Sequence, residues 1–134
     1  MGKIILNSKN LTKSYQNGDR RLVVLDSINL ELETGTITTI IGESGSGKST
    51  LLNVLSSLDT FDSGKLLIEN ENISSFNEKK LSLFRNEKIG FIFQFHHLLP
   101  DFTILDNVLM PMWIKNGFGQ YERPLSLLND FGLL

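Results

Sequence analysis

The sequence predicts an α/β fold: a mixed sheet with a phosphate-binding loop at a strand end, an antiparallel β layer beside it, and the start of a helical subdomain. Three observations carry this expectation. Gly42-Glu43-Ser44-Gly45-Ser46-Gly47-Lys48-Ser49-Thr50 has the form G-x-x-x-x-G-K-S/T. It lies between residues 36–41, an apolar and β-branched run that reads as a buried strand, and residues 51–55, which read as a helix. Upstream, short β-rich runs alternate with turn signals, the pattern of antiparallel pairing.

Taken in order, the β layer is predicted from runs at 4–6, 11–15, 22–25 and 28–33, with Gln16-Asn17-Gly18-Asp19 as a turn. After the loop helix, Asp62-Ser63-Gly64 reads as a turn and 66–69 as a strand. Ser75 and Glu78 have capping-box spacing, and Leu81 and Phe84 recur at helical spacing in the segment reaching Arg85. Residues 89–93, rich in aromatic and branched side chains, read as a strand that breaks off at Gln94. A helix is predicted after Thr103, with Asp106 in its first turn, Gly117 beyond its end, and Pro111 kinking or shortening it. A last helix covers about 122–131 and leads to Gly132. The expected division is a nucleotide-binding core at 1–94 and the start of a helical subdomain at 95–134.

The 134 residues are one ordinary domain's length, and the net charge of -2 gives no general attraction to nucleic acid or acidic lipid. No apolar stretch approaches bilayer length, and Met1-Gly2-Lys3 is not followed by the apolar segment of a signal peptide. A cytoplasmic location is therefore expected. The absence of cysteine removes disulfide and thiolate-metal readings.

In the glycine-rich loop, three glycines let the backbone turn its N–H groups inward around phosphates, at the N-terminus of the following helix. Lys48 is suited to the outer phosphates, and the Ser49 hydroxyl to Mg²⁺. A Gly/Ser linker rarely carries Lys-Ser followed by a Leu-rich helix. The loop alone does not choose among kinases, GTPases and transport or motor ATPases. Tyr15, with the run Val23-Val24-Leu25, offers an aromatic face and an apolar wall for a base, although Tyr15 alone also fits a plain strand aromatic. Gln94 brings a donor and an acceptor to the end of a strand, suited to a metal-bound water or a γ-phosphate.

Together these pieces resemble the nucleotide-binding subunit of ATP-binding cassette (ABC) transporters. Leu11-Thr12-Lys13-Ser14-Tyr15 is similar to the segment ending in that family's adenine-stacking aromatic, 42–50 matches its phosphate loop, and Ile89-Gly90-Phe91-Ile92-Phe93-Gln94 its lid-glutamine segment. The stretch 93–103, with Asn107-Val108 and Met110-Pro111, is similar to the ATP-binding subunit of the lipoprotein-releasing system of Gram-negative bacteria. The resemblance implies ATP and Mg²⁺ as cofactors, with Tyr15 on the adenine, 42–50 on the phosphates, and Ser49 with Gln94 on the metal. It implies two partners, an integral membrane transporter subunit and a second copy in a head-to-tail dimer, and a peripheral place on the inner membrane. Phe95, Leu98, Leu99 and Phe102 are the apolar positions for docking on the membrane subunit; packing inward as core is the competing reading. His96 and His97 are adjacent, which suits packing or surface roles better than a metal site.

The family's signature loop, its acidic strand end with Mg²⁺-supporting Asp and catalytic Glu (Walker B), and its switch His are not found in these 134 residues. Residues 22–26, ending in Asp26, imitate the acidic motif but precede the phosphate loop and lack a second carboxylate. Glu43 sits at a freely varying position. The expectation is a truncated ATPase that binds ATP and does not hydrolyse it alone. A stand-alone binding or regulatory module that docks on a membrane partner is the alternative, and a kinase or GTPase with an unusual lid a weaker one.

Overall fold

The computed structural model describes residues 2–134, which divide into two compact units, the boundary falling between Leu81 and Ser82. The first is built on a hairpin of β1 (Ile4–Asn17) and β2 (Arg20–Glu33), closed by Gly18-Asp19 with Gly18 at φ +60°. A left-handed residue at this place matches the right-handed twist of the flanking strands. The four predicted runs are therefore two long strands. Register shifts and the positive φ of Asn10 and Ser27 interrupt the alternation that a sequence reading relies on, without ending the ladder.

β3 (Ser63–Ile68) and β4 (Glu71–Asn72) complete an antiparallel sheet in the order β2-β1-β3-β4. β3 begins at Ser63, inside the expected turn. Gly64, at φ +104°, lets it approach β1 so closely that a Cβ there would lie 2.4 Å from the Asn10 carbonyl oxygen. The loop helix α1 (Lys48–Leu55) contributes Val54 and Leu55 to a core that holds Leu11, Leu25, Leu66, Ile68 and Ile73.

The α/β class is the one predicted, but the expected strands at 36–41 and 89–93 do not form. Branched apolar residues favour a strand only where a neighbour supplies the ladder. No described strand pairs with either segment, and Ile37 and Ile92 are 98% and 97% exposed.

α2 (Glu78–Lys88) crosses the boundary between the units. Its cap is Asn77, whose side-chain oxygen accepts the Lys80 N–H at 2.9 Å, and not the expected Ser75, whose hydroxyl donates to the Asn72 carbonyl from within a 3₁₀ turn. In the second unit, α3 (Ile104–Asn116) opens on a Thr103/Asp106 capping box and runs through Pro111 to a Gly117 cap. Pro111 does not end the helix; the Asn86 side chain donates to its carbonyl at 2.9 Å. α4 (Glu122–Asp130) completes the unit, and Leu109, Pro124 and Leu128 form its interior.

Candidate nucleotide-binding site

The phosphate loop meets α1 at Gly47, whose φ is +90°. A Cβ at Gly47 would sit 3.1 Å from both Val24 Cγ1 and the Val24 carbonyl oxygen, so β2 and the loop approach only because glycine stands there. The first intrahelical bond runs from the Leu51 N–H to the Gly47 carbonyl at 2.8 Å, and Gly47 has no side chain to cap the helix. The N–H groups of Lys48, Ser49 and Thr50 thus precede the helical ladder, at the electropositive end of α1.

These residues line an open cavity of about 470 Å³, together with Val24, Ser44, Gly45 and Gly47. The Lys48 ammonium donates to the carbonyls of Gly42 at 3.0 Å and Glu43 at 2.5 Å, and to the Ser46 hydroxyl at 3.4 Å. A cation, uncapped backbone donors and a hydroxyl converge on one concavity, a donor set suited to a polyphosphate with its metal. No carboxylate lines the cavity. Asp26 is exposed and accepts from the Ser27 hydroxyl, away from it.

Tyr15, 40% exposed, is tied into the same unit. Its hydroxyl donates to Asp59 at 2.7 Å. The bond to Asp59 and then burial hold its phenol above the ordinary 10.0, against a smaller opposing influence of the Thr50 hydroxyl. Asp59 also accepts from the ammonium of Lys13 at 2.8 Å, and that ammonium lies 4.9 Å from the Tyr15 ring centre. Burial pushes the Asp59 carboxyl up, but bonds from Lys13, Tyr15 and the Thr60 N–H outweigh it and hold the group below 3.8. Three residues on, Asp62 accepts from the backbone N–H of Ser14 at 2.9 Å, from the Ser14 hydroxyl, and from Arg21 at 3.0 Å. The segment leaving α1 is therefore clasped to β1 at three successive residues.

Sequence reading passed over Asp59 and Lys13. The need for a carboxylate comes from the burial of Lys13 beside Leu11 on β1, which the fold sets and the sequence does not announce.

Gln94 and the apolar positions Phe95, Leu98, Leu99 and Phe102 belong to the second unit, and all five are exposed. The turn that carries them is shaped by Asn107, another residue without an assigned role at first reading. Its side chain accepts the Leu99 N–H at 2.9 Å and donates to the carbonyls of Leu99, Phe102 and Thr103. Among the described residues no cluster of His, Cys, Asp or Glu has the makings of a metal site. No described helix is long and apolar enough to cross a membrane.

Residues 25–133 match the family described as ABC transporter. The chain belongs to the ABC transporter family. Over 133 residues it is 50% identical to the lipoprotein-releasing system ATP-binding protein LolD of Pseudomonas syringae pv. tomato, a match covering 98% of this chain and 59% of that protein. LolD of Desulfotalea psychrophila is 51% identical over 82% of this chain and 49% of its own length. Among solved structures, the ATP-binding cassette MJ0796, a dimer bound to ADP and Pi, superposes with a TM-score of 0.84 at 35% identity, over 92% of this chain and 56% of that one. The chain is thus homologous to the ATP-binding component LolD and spans well under two thirds of these relatives' length.

Proposed function

We propose that this chain carries the phosphate, metal and base contacts of an ABC ATPase subunit of the lipoprotein-releasing type. ATP is the ligand in this reading. Its phosphates lie on Gly42, Glu43, Ser44, Gly45, Ser46, Gly47, Lys48, Ser49 and Thr50, Ser49 holds its Mg²⁺, with Gln94 as the further metal residue that the family resemblance implies, and its base stacks on Tyr15. The carrying observation is the convergence of the Lys48 ammonium with the start of α1 on one open cavity. Mg²⁺ would neutralise the phosphate charge; Lys48 and the loop backbone bind and orient the chain of phosphates.

The exposed apolar side chains of Phe95, Leu98, Leu99 and Phe102 support docking on an integral membrane subunit. The dimeric cassette structures of a homologue support a second copy as the other partner. A place on the cytoplasmic face of the inner membrane follows from those partners.

Lys48→Ala should remove most ATP binding in titration calorimetry while leaving the circular dichroism spectrum unchanged. Equal affinity in the variant would make the loop a structural turn and end this reading.

A further inference from the structure

The Lys13, Tyr15 and Asp59 cluster lies outside the phosphate cradle, and no role for Asp59 follows from nucleotide binding as such. Lys13 is 6% exposed, so its ammonium depends on Asp59 for compensation. One Asp59 oxygen receives that ammonium at 2.8 Å and the other receives the Tyr15 hydroxyl at 2.7 Å. The carboxylate therefore has one well-determined position, and the ring it bonds inherits it. Lys13 stands over the ring, 4.9 Å from its centre, and Tyr15 is still 40% exposed. Asp59 is carried by the turn that leaves α1, where the N–H groups of Leu58 and Asp59 both donate to the Asn53 carbonyl. The phosphate-loop helix and the aromatic ring are thereby locked in one frame.

We propose that Asp59 is a positioning residue for nucleobase recognition: paired with buried Lys13, it holds the Tyr15 ring at a set place relative to the phosphate loop. The inference rests on the reading of Tyr15 as the base-stacking residue given above. A preset ring spares the ligand the cost of ordering it. Loss of the Asp59 contact should weaken the base's contribution and leave the phosphates' contribution alone.

The test compares ATP with inorganic tripolyphosphate, which has no base, by titration calorimetry on the whole chain. Tyr15→Phe keeps the ring and the Lys13–Asp59 pair and removes the hydroxyl's bond to Asp59 together with its smaller interaction with the Thr50 hydroxyl, which the tripolyphosphate arm reads separately. It should lose roughly three- to tenfold in ATP affinity, a part of one base-stacking contact, with tripolyphosphate unchanged. Asp59→Asn should show the same split, and Tyr15→Phe serves alone if the Asn variant does not fold. If Tyr15→Ala weakens ATP and Tyr15→Phe does not, the ring stacks without Asp59, which overturns this inference and leaves the reading of Tyr15 intact. If Tyr15→Ala leaves ATP affinity untouched, that reading fails and takes the inference with it. Equal losses for ATP and tripolyphosphate would show an effect on the loop itself and also overturn the proposal.

Discussion

At the residue scale, the Lys13–Asp59–Tyr15 cluster makes stability depend on pH in two opposite directions. Asp59 is held below its ordinary 3.8, so its contribution is complete above that value and is lost as pH falls through the lower folded-state value. Tyr15 is held above 10.0, so its bond contributes fully below pH 10.0 and is lost as pH rises through the raised value. Denaturant unfolding of the wild type and Asp59→Asn should differ most near neutrality, with the gap closing below about pH 3.8, where the free carboxyl takes up its proton. A gap of constant size down to pH 2 would mean that the carboxylate charge is not what stabilises the cluster. Ultraviolet titration offers an independent check, since one of the two tyrosines should ionise at lower pH in the variant.

At the scale of elements, both ends of α3 were legible, the cap of α2 lies two residues from the expected Ser75, and strand partners were not legible. A cap is a local bargain between side chain and backbone, and Thr103 with Asp106 announces one in the sequence. The Thr103 hydroxyl accepts the Asp106 N–H at 3.1 Å and the Asp106 carboxylate accepts the Thr103 N–H at 3.0 Å. Thr103→Ala should cost about 1 kcal/mol of stability and loosen the exposed turn at 95–102, visible as faster hydrogen exchange at Leu99, whose N–H is held by Asn107. Unchanged exchange there would separate the cap from the turn. The phosphate loop was legible for the same reason: its chemistry is written in nine contiguous residues. Asp59 was not, because its partners Lys13 and Tyr15 lie more than forty positions away, with separations of 46 and 44 residues. Residues 36–41 failed as a strand for a related reason, since sequence pattern reports what a segment prefers and pairing requires another segment to be present.

At the scale of the molecule, the lining of the phosphate cavity offers a cation, backbone donors and hydroxyls and no carboxylate. Hydrolysis needs a group to take the proton from or orient the attacking water. The purified 134-residue polypeptide should therefore bind ATP without Lys48-dependent turnover above background, and phosphate release abolished by Lys48→Ala would contradict this. Association is the second consequence. Ile37 and Ile41 are 98% and 87% exposed on a segment that makes no ladder, so the first unit shows water both apolar side chains and unpaired backbone. Exposed apolar side chains on backbone without ladder partners favour association, and in a pure solution the available partner is a second copy. Light scattering should find an average mass that rises with concentration, and Ile37→Lys combined with Ile41→Lys should return it toward the monomer, because charge on this segment opposes association without touching the core. A mass that stays at one chain across the whole concentration range in the unmodified protein would show that this segment is not the adhesive surface its exposure implies.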